Sequence, residues 1–267
     1  MKLSDYEDDK YNLFKSLFLK KLNPKEIKEE IIQGVVEELE NRNILEQEYI
    51  ISGKKYKSYD GIPISVLQNL SPEEKIEIEI EKPWNFLGMY NQKNLKIKGK
   101  VGRCLGIDMP KGEIIVDGDA ESVGEWMKGG KIIVNGNVDY AGDHMRGGEI
   151  WINGDAGEIG SFMEGGRIVV NGYAKERIGD CMSGGEIWVK ELELKNLSPY
   201  YEIGMGKIYK GLPGEDFEPV RIFEILEKSE NEWIFLYFDK RKGEDSMNRI
   251  LEFVLTKISR VYKDFRT

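Results

Sequence analysis

The residues that most often carry chemistry are scarce in this chain. There is one histidine, His144, among 267 residues, so no second imidazole is available for a metal centre. There are two cysteines, Cys104 and Cys181, and neither belongs to a C-x-x-C pair. That gives no support to an iron–sulfur cluster or a zinc site. Basic residues are outnumbered. A net charge of −9 with 33% charged residues argues against nucleic acid as the main partner. No apolar run reaches about 18 residues, so no membrane-spanning helix is expected. The opening MKLSDYEDDKYN is acidic and is no signal peptide. A cytoplasmic protein without a membrane partner is the expectation. No G-x-S-x-G elbow occurs. The abundance of Lys, Glu and Ile fits a thermophile.

Glycine is plentiful, with 30 residues, and much of it falls in a repeat between Asn94 and Gly185. Three units of 18 residues follow one another at Glu113–Gly130, Lys131–Gly148 and Glu149–Gly166. Units of 19 residues flank them at Asn94–Gly112 and Arg167–Gly185, and a sixth strand begins at Glu186–Lys190. The second and fourth positions are aliphatic throughout, as in Ile114/Val116 and Ile150/Ile152, which is strand alternation. Glycine takes the sixth position, where the backbone is expected to turn. A second glycine (Gly106, Gly124, Gly142, Gly160, Gly179) marks the next corner. Methionine stands three residues beyond it each time, from Met109 to Met182. Such a period builds a stack of coils, with equal positions about 4.8 Å apart. The first position reads Glu113, Lys131, Glu149, Arg167, Glu186, so charge alternates up the stack as adjacent rungs require. Asn135, Asn153 and Asn171 form a second column, suited to an amide ladder.

The string G-x5-G-x2-M-x2-G, with an aliphatic strand after each Gly-Gly, resembles the GXGXG domain family. That family includes the C-terminal domain of the glutamate synthase large subunit and the β-helix subunit of formylmethanofuran dehydrogenase. The likeness spans roughly residues 94–190. It implies a mainly β chain, folded as a right-handed parallel β-helix of about five to six coils here. The family's members carry more coils, and segments 1–70 and 206–267 match neither protein, so the chain reads as a shortened relative. The resemblance further implies an archaeal origin and a structural role. In those enzymes the β-helix holds catalytic domains in place, while flavin, iron–sulfur or molybdopterin parts elsewhere do the chemistry. On that basis no catalytic, cofactor-binding or metal residue is assigned in this chain.

Three segments are expected: helices and a hairpin over 1–70, the β-helix over 71–200, and a strand with an amphipathic helix over 201–267. One helix is expected over 24–42, capped by Asn23 with Pro24 and Glu26, and carrying an Ile27/Ile31/Val35/Leu39 stripe. An earlier helix over Asp8–Leu22 points Leu13, Phe14, Leu17 and Phe18 inward. Gln47–Ile51 and Lys55–Tyr59 form a hairpin, and Ile76, Ile78 and Ile80 mark a strand with one wet face. Trp233–Phe238 reads as a strand and Ser246–Lys263 as a helix. These flanks are read as caps for the open ends of the stack. Helix followed by hairpin also resembles a winged-helix layout, but the acidic helix disfavours DNA.

His144 sits in a column with Asp108, Trp126, Phe162 and Cys181, where packing is its expected role. Asp143 beside it is a faint hint of acid–base chemistry. The two cysteines, four rungs or about 19 Å apart, cannot form a disulfide with each other. The third strand position is the more informative. It points outward yet reads Ile115, Ile133, Trp151, Val169, Trp188. Monomers rarely leave such a strip uncovered. It is covered either by the chain's own flank or by another subunit, with Trp151 and Trp188 as anchors. Self-association, through the open end of the stack, is the other kind of partner considered. The function expected is therefore a non-catalytic assembly scaffold. Two alternatives are a hexapeptide-type acyltransferase and a small hydrolase or ligand-binding protein. The hexapeptide pattern fits only the middle corner of each coil. The recurring glycines are not a dinucleotide fingerprint, because no strand–turn–helix surrounds them.

Overall fold

The fold is described from a computed structural model of the chain. It describes residues 22–42, 46–51, 54–198, 206–214 and 218–219, with parts of 11–20. The expected elements at Trp233–Phe238 and Ser246–Lys263, and the side chains of Phe14, Leu17 and Phe18, lie outside the described residues. The chain divides into two compact units, Met1–Val220 and Arg221–Thr267.

In the first unit, helix α1 (Glu29–Asn41) precedes a hairpin of β1 (Glu46–Ile51) and β2 (Lys54–Asp60), and α2 (Ile62–Leu70) follows. Then come β3 (Lys75–Glu79), β4 (Trp84–Asn85), β5 (Asn94–Lys98), β6 (Glu113–Asp117) and β7 (Ala120–Val123). Next are β8 (Lys131–Val134), β9 (Val138–Ala141), β10 (Glu149–Ile152) and β11 (Ala156–Ile159). The last are β12 (Arg167–Tyr173), β13 (Glu186–Glu191), β14 (Lys207–Lys210) and β15 (Glu218–Pro219).

The repeat folds as a parallel β-solenoid of about seven turns. Its main sheet runs β3-β5-β6-β8-β10-β12-β13-β14, every neighbour parallel and in register, apart from a shift between Val170 and Tyr173 where β12 meets β13. A second sheet, β7-β9-β11, lies on another side of the coil. The stack is longer than the repeat shows. β3 is its first rung, and Gly88, at φ +66°, forms the second-glycine corner of that turn. β14, past the boundary expected at 200, adds a rung after β13. The antiparallel β15 then pairs with β14 and puts Pro219, which has no N–H, at the sheet edge.

The aliphatic positions fill the interior. Ile114, Val116, Ile132, Val134, Ile150, Ile168 and Val170 are completely buried, as are Met109, Met127, Met145 and Met163. In the first turn Asn91 occupies the methionine position. It is buried, accepts from the Gln68 amide and donates to the Lys93 carbonyl at 2.7 Å. Gln68 comes from α2, whose residues Ile62–Gln68 are all buried. This helix packs Ile62 and Val66 against Met89 and Ile107 of the early turns, so the N-terminal flank contributes to the core there.

α1 covers the sheet edge at β3. Glu29 accepts from the Glu77 N–H at 2.6 Å and Gln33 from the Glu79 N–H at 2.8 Å. Glu40 accepts from the backbone of Glu81 and Lys82 and from Trp84 Nε1 at 2.7 Å. The spacings match: four helical residues rise about 6 Å and two strand residues about 6.6 Å. Three expectations are corrected here. The segment 24–42 is not one helix. Asn23 caps a short 3₁₀ turn, Pro24–Glu26, and α1 starts afresh after Lys28. Of the expected stripe only Ile27 is buried; along α1 the buried residues are Ile32, Val36 and Glu40, while Ile31 is 50% exposed. Leu13, expected inward, is exposed as well. The hairpin forms, with Ile51 opposite Lys54.

Candidate functional site

Two surfaces of the solenoid present side chains in ordered columns. The first is the outer face of the main sheet. Strand registry aligns Glu77, Lys96, Ile115, Ile133, Trp151, Val169, Trp188 and Tyr209 into one column. The five expected strip residues are thus brought together, but their exposure differs. Ile115, Ile133 and Trp151 are half-buried. Val169 and Trp188 are buried, packed with Tyr209 and against Trp151 and Leu212. The Trp188 and Tyr209 rings stack at 4.0 Å. Trp188 is therefore covered by its own chain and is not an accessible anchor. Trp151 is partly open, its Nε1 bonded to Glu149 at 3.1 Å and Lys131 lying 5.1 Å above its ring.

Charged and amide columns border that strip. Arg167 pairs with Glu186 at 3.1 Å and with Glu149 at 3.7 Å, and Lys207 reaches Glu186 at 3.7 Å. On the other side Asn153 donates to Asn135, and Asn135 to Asp117, both at 2.7 Å. The Asn135 amide and the Lys96 ammonium hold the Asp117 carboxyl below its ordinary range. Lys98, 2.6 Å away, does the same for Glu77.

The second surface lies at the corner after the β7-β9-β11 sheet. Trp126, His144 and Phe162 stack along it, with ring centroids 4.1 and 4.9 Å apart. Each takes a positive φ, 56°, 53° and 52°, at a turn closed by the methionine N–H onto the preceding glycine carbonyl. That backbone directs the rings away from the interior, so the expected stacking occurs on the outside. His144 Nδ1 lies 2.9 Å from Asp143. Beside the column runs a groove of about 410 Å³. It is lined by Ser122, Glu125, Tyr140, Asp143, Ser161 and Phe162, with Arg103 and Arg177 also on its wall. Arg103 pairs with Glu121 at 3.4 Å, and Arg177 pairs with Asp180 at 2.8 Å and with Glu158 at 3.2 Å. Asp180 is the main reason the Arg177 guanidinium is held above its ordinary range. Glu125 accepts from the Ser122 hydroxyl at 2.7 Å and from the Cys104 thiol at 3.2 Å. Sequence reasoning missed this groove. Its only signal was a run of polar and aromatic residues at strand positions where the main sheet is aliphatic.

Among the described residues no three His, Cys, Asp or Glu side chains converge to hold a metal. Neither Cys104 nor Cys181 is in a disulfide. No described helix is long and apolar enough to cross a membrane. No protein-family model matches the chain, and no curated protein matches it.

Proposed function

We propose that this chain is a non-catalytic assembly scaffold, a stiff solenoid that holds another folded chain against the outer face of its main sheet. The supporting observation is the run of Ile115, Ile133 and Trp151 on three consecutive rungs, half-exposed between columns of charge and amide. Apolar groups in such a row, rimmed by polar side chains, mark contact surfaces. Membership of the GXGXG β-helix family and a cytoplasmic, archaeal setting belong to the same proposal, which rests on the repeat and the composition. No cofactor is part of it.

The test is a mild affinity purification of the tagged protein from its host, with Trp151→Glu in parallel and co-purified proteins identified by mass spectrometry. A partner chain retained by the wild type and lost by the variant is the expected outcome. Equal recovery from both sinks the scaffold reading.

One observation favours a second reading, a small hydrolase or ligand-binding protein. The Asp143–His144 contact borders the groove. In that reading His144→Ala abolishes an activity while the melting temperature holds. Unchanged activity removes it.

A further inference from the structure

The outer face of the main sheet is complementary to itself, and we propose that a second copy of this chain docks on it, face to face. The two-fold axis lies parallel to the strands, midway between β8 and β10. This inference rests on the scaffold reading and names its partner.

The face has three outward columns. The first reads Lys75, Asn94, Glu113, Lys131, Glu149, Arg167, Glu186, Lys207, and the apolar strip is the second. The third carries Asp117, Asn135 and Asn153. A two-fold axis along the strand direction keeps every column opposite itself and reverses the order of rungs. Isologous interfaces require such self-complementarity. With the axis midway between β8 and β10, Lys131 faces Glu149 of the second copy, and Glu113 faces its Arg167. Ile133 faces Trp151, and Asn135 faces Asn153, amide to amide.

Other registers are worse. An axis through β8 sets Lys131 against itself and Glu113 against Glu149, and like charges across an interface are repulsive. A shift one rung towards β6 sets Lys75 against Arg167 and buries Glu77 against Val169. A shift one rung towards β12 also faces opposite charges, but it sets Ile133 and Trp151 against Trp188 and Val169, which the chain already covers. Charge alternation, needed within the chain to let rungs stack, therefore also selects a half-rung register between chains. Lys75 and Lys207, and Lys98 and Lys190 in the third column, remain like-charged towards the two ends, where all four are exposed and water screens them. Eight parallel rungs of about 4.8 Å spacing and strands of about 16 Å give roughly 600 Å² a side, or about 1,200 Å² in total, the lower end of the range for specific interfaces.

The test is sedimentation velocity on the full chain between about 1 and about 100 µM, the range in which an interface of this size associates. The wild type is expected to double in mass with concentration. Glu113→Arg and Arg167→Glu each place like charges across the axis and should weaken dimerisation by about tenfold or more. An equimolar mixture of the two variants should recover it. In the mixed dimer the introduced arginine faces the introduced glutamate, and the two unchanged residues face each other. Circular dichroism establishes that each variant is folded. Lys131→Glu with Glu149→Lys obeys the same rule and replaces any member that is not. A wild type that remains monomeric at the highest concentration, or a mixture that does not recover, overturns the proposal. A monomer that still retains a different protein through Trp151 would overturn self-docking alone and leave the scaffold reading intact.

Discussion

The glycines of the repeat answer two different steric demands. At the sixth position the expectation was a turn needing freedom in φ, yet Gly136 is not at positive φ. A Cβ there would lie 2.5 Å from the Gly118 carbonyl oxygen of the rung below, so the constraint is contact between stacked backbones. The second glycine is the left-handed one. Gly124 has φ +70°, and a Cβ would lie 2.4 Å from Ile150 Cδ1. Gly124→Ala is therefore expected to cost about 2 kcal/mol or more, from the backbone penalty and overpacking together. Gly34 is the contrast. It is exposed within α1 and a Cβ there meets nothing within 4 Å. Gly34→Ala should raise stability by about 0.5–1 kcal/mol. Urea midpoints of the two variants check both, and a loss at Gly34 would contradict the helix. The buried methionines and aliphatic pairs were legible from sequence because equal positions stack. The outward swing of Trp126, His144 and Phe162 was not, because a positive φ at a bulky residue has no compositional mark.

At the scale of elements, α1 shows why a helix can present a face that its apolar pattern does not suggest. Ile27, Ile31, Val35 and Leu39 are evenly spaced and would make a tidy stripe. The observed face is set instead by acceptors: Glu29, Gln33 and Glu40 satisfy backbone groups in and just beyond β3 that would otherwise go unpaired. An open strand edge of this kind invites association. Ile32 and Val36 lie on the same side and are buried with it. Glu40→Ala strands three donors, among them the buried Trp84 indole, and should cost about 2–3 kcal/mol. Glu38→Ala removes only an exposed pair with Arg42 and should stay within about 0.5 kcal/mol. Thermal unfolding of the two variants measures the difference. Equal losses would mean that edge cover contributes nothing. From sequence alone Glu29 and Glu40 read as surface charge, since nothing local distinguishes an acceptor of solvent from an acceptor of backbone.

Over the whole molecule, each rung of the solenoid touches its two neighbours, so stability accumulates along the stack. Hydrogen exchange should therefore be slowest in the central rungs, at amides such as those of Ile133 and Trp151, and faster in β14, whose outer neighbour is the two-residue β15. Equal protection from β6 to β14 would instead indicate one cooperative block. The parallel stack, its interior and its alternating columns are all written in the repeat. A repeat imposes the same local geometry on every unit, and stacked units share one register, so one unit's pattern specifies all of them. The tertiary structure alone decided where the stack begins and ends, what covers its edge, and which strip residues remain accessible. β3 and β14 join with only fragments of the repeat's motif, Gly88 and Gly206, because backbone pairing needs no particular side chain. Trp188 is covered because Tyr209, 21 residues onward, returns to the same column one rung later. Burial of that kind depends on where distant parts of the chain come to rest, and no local period encodes it.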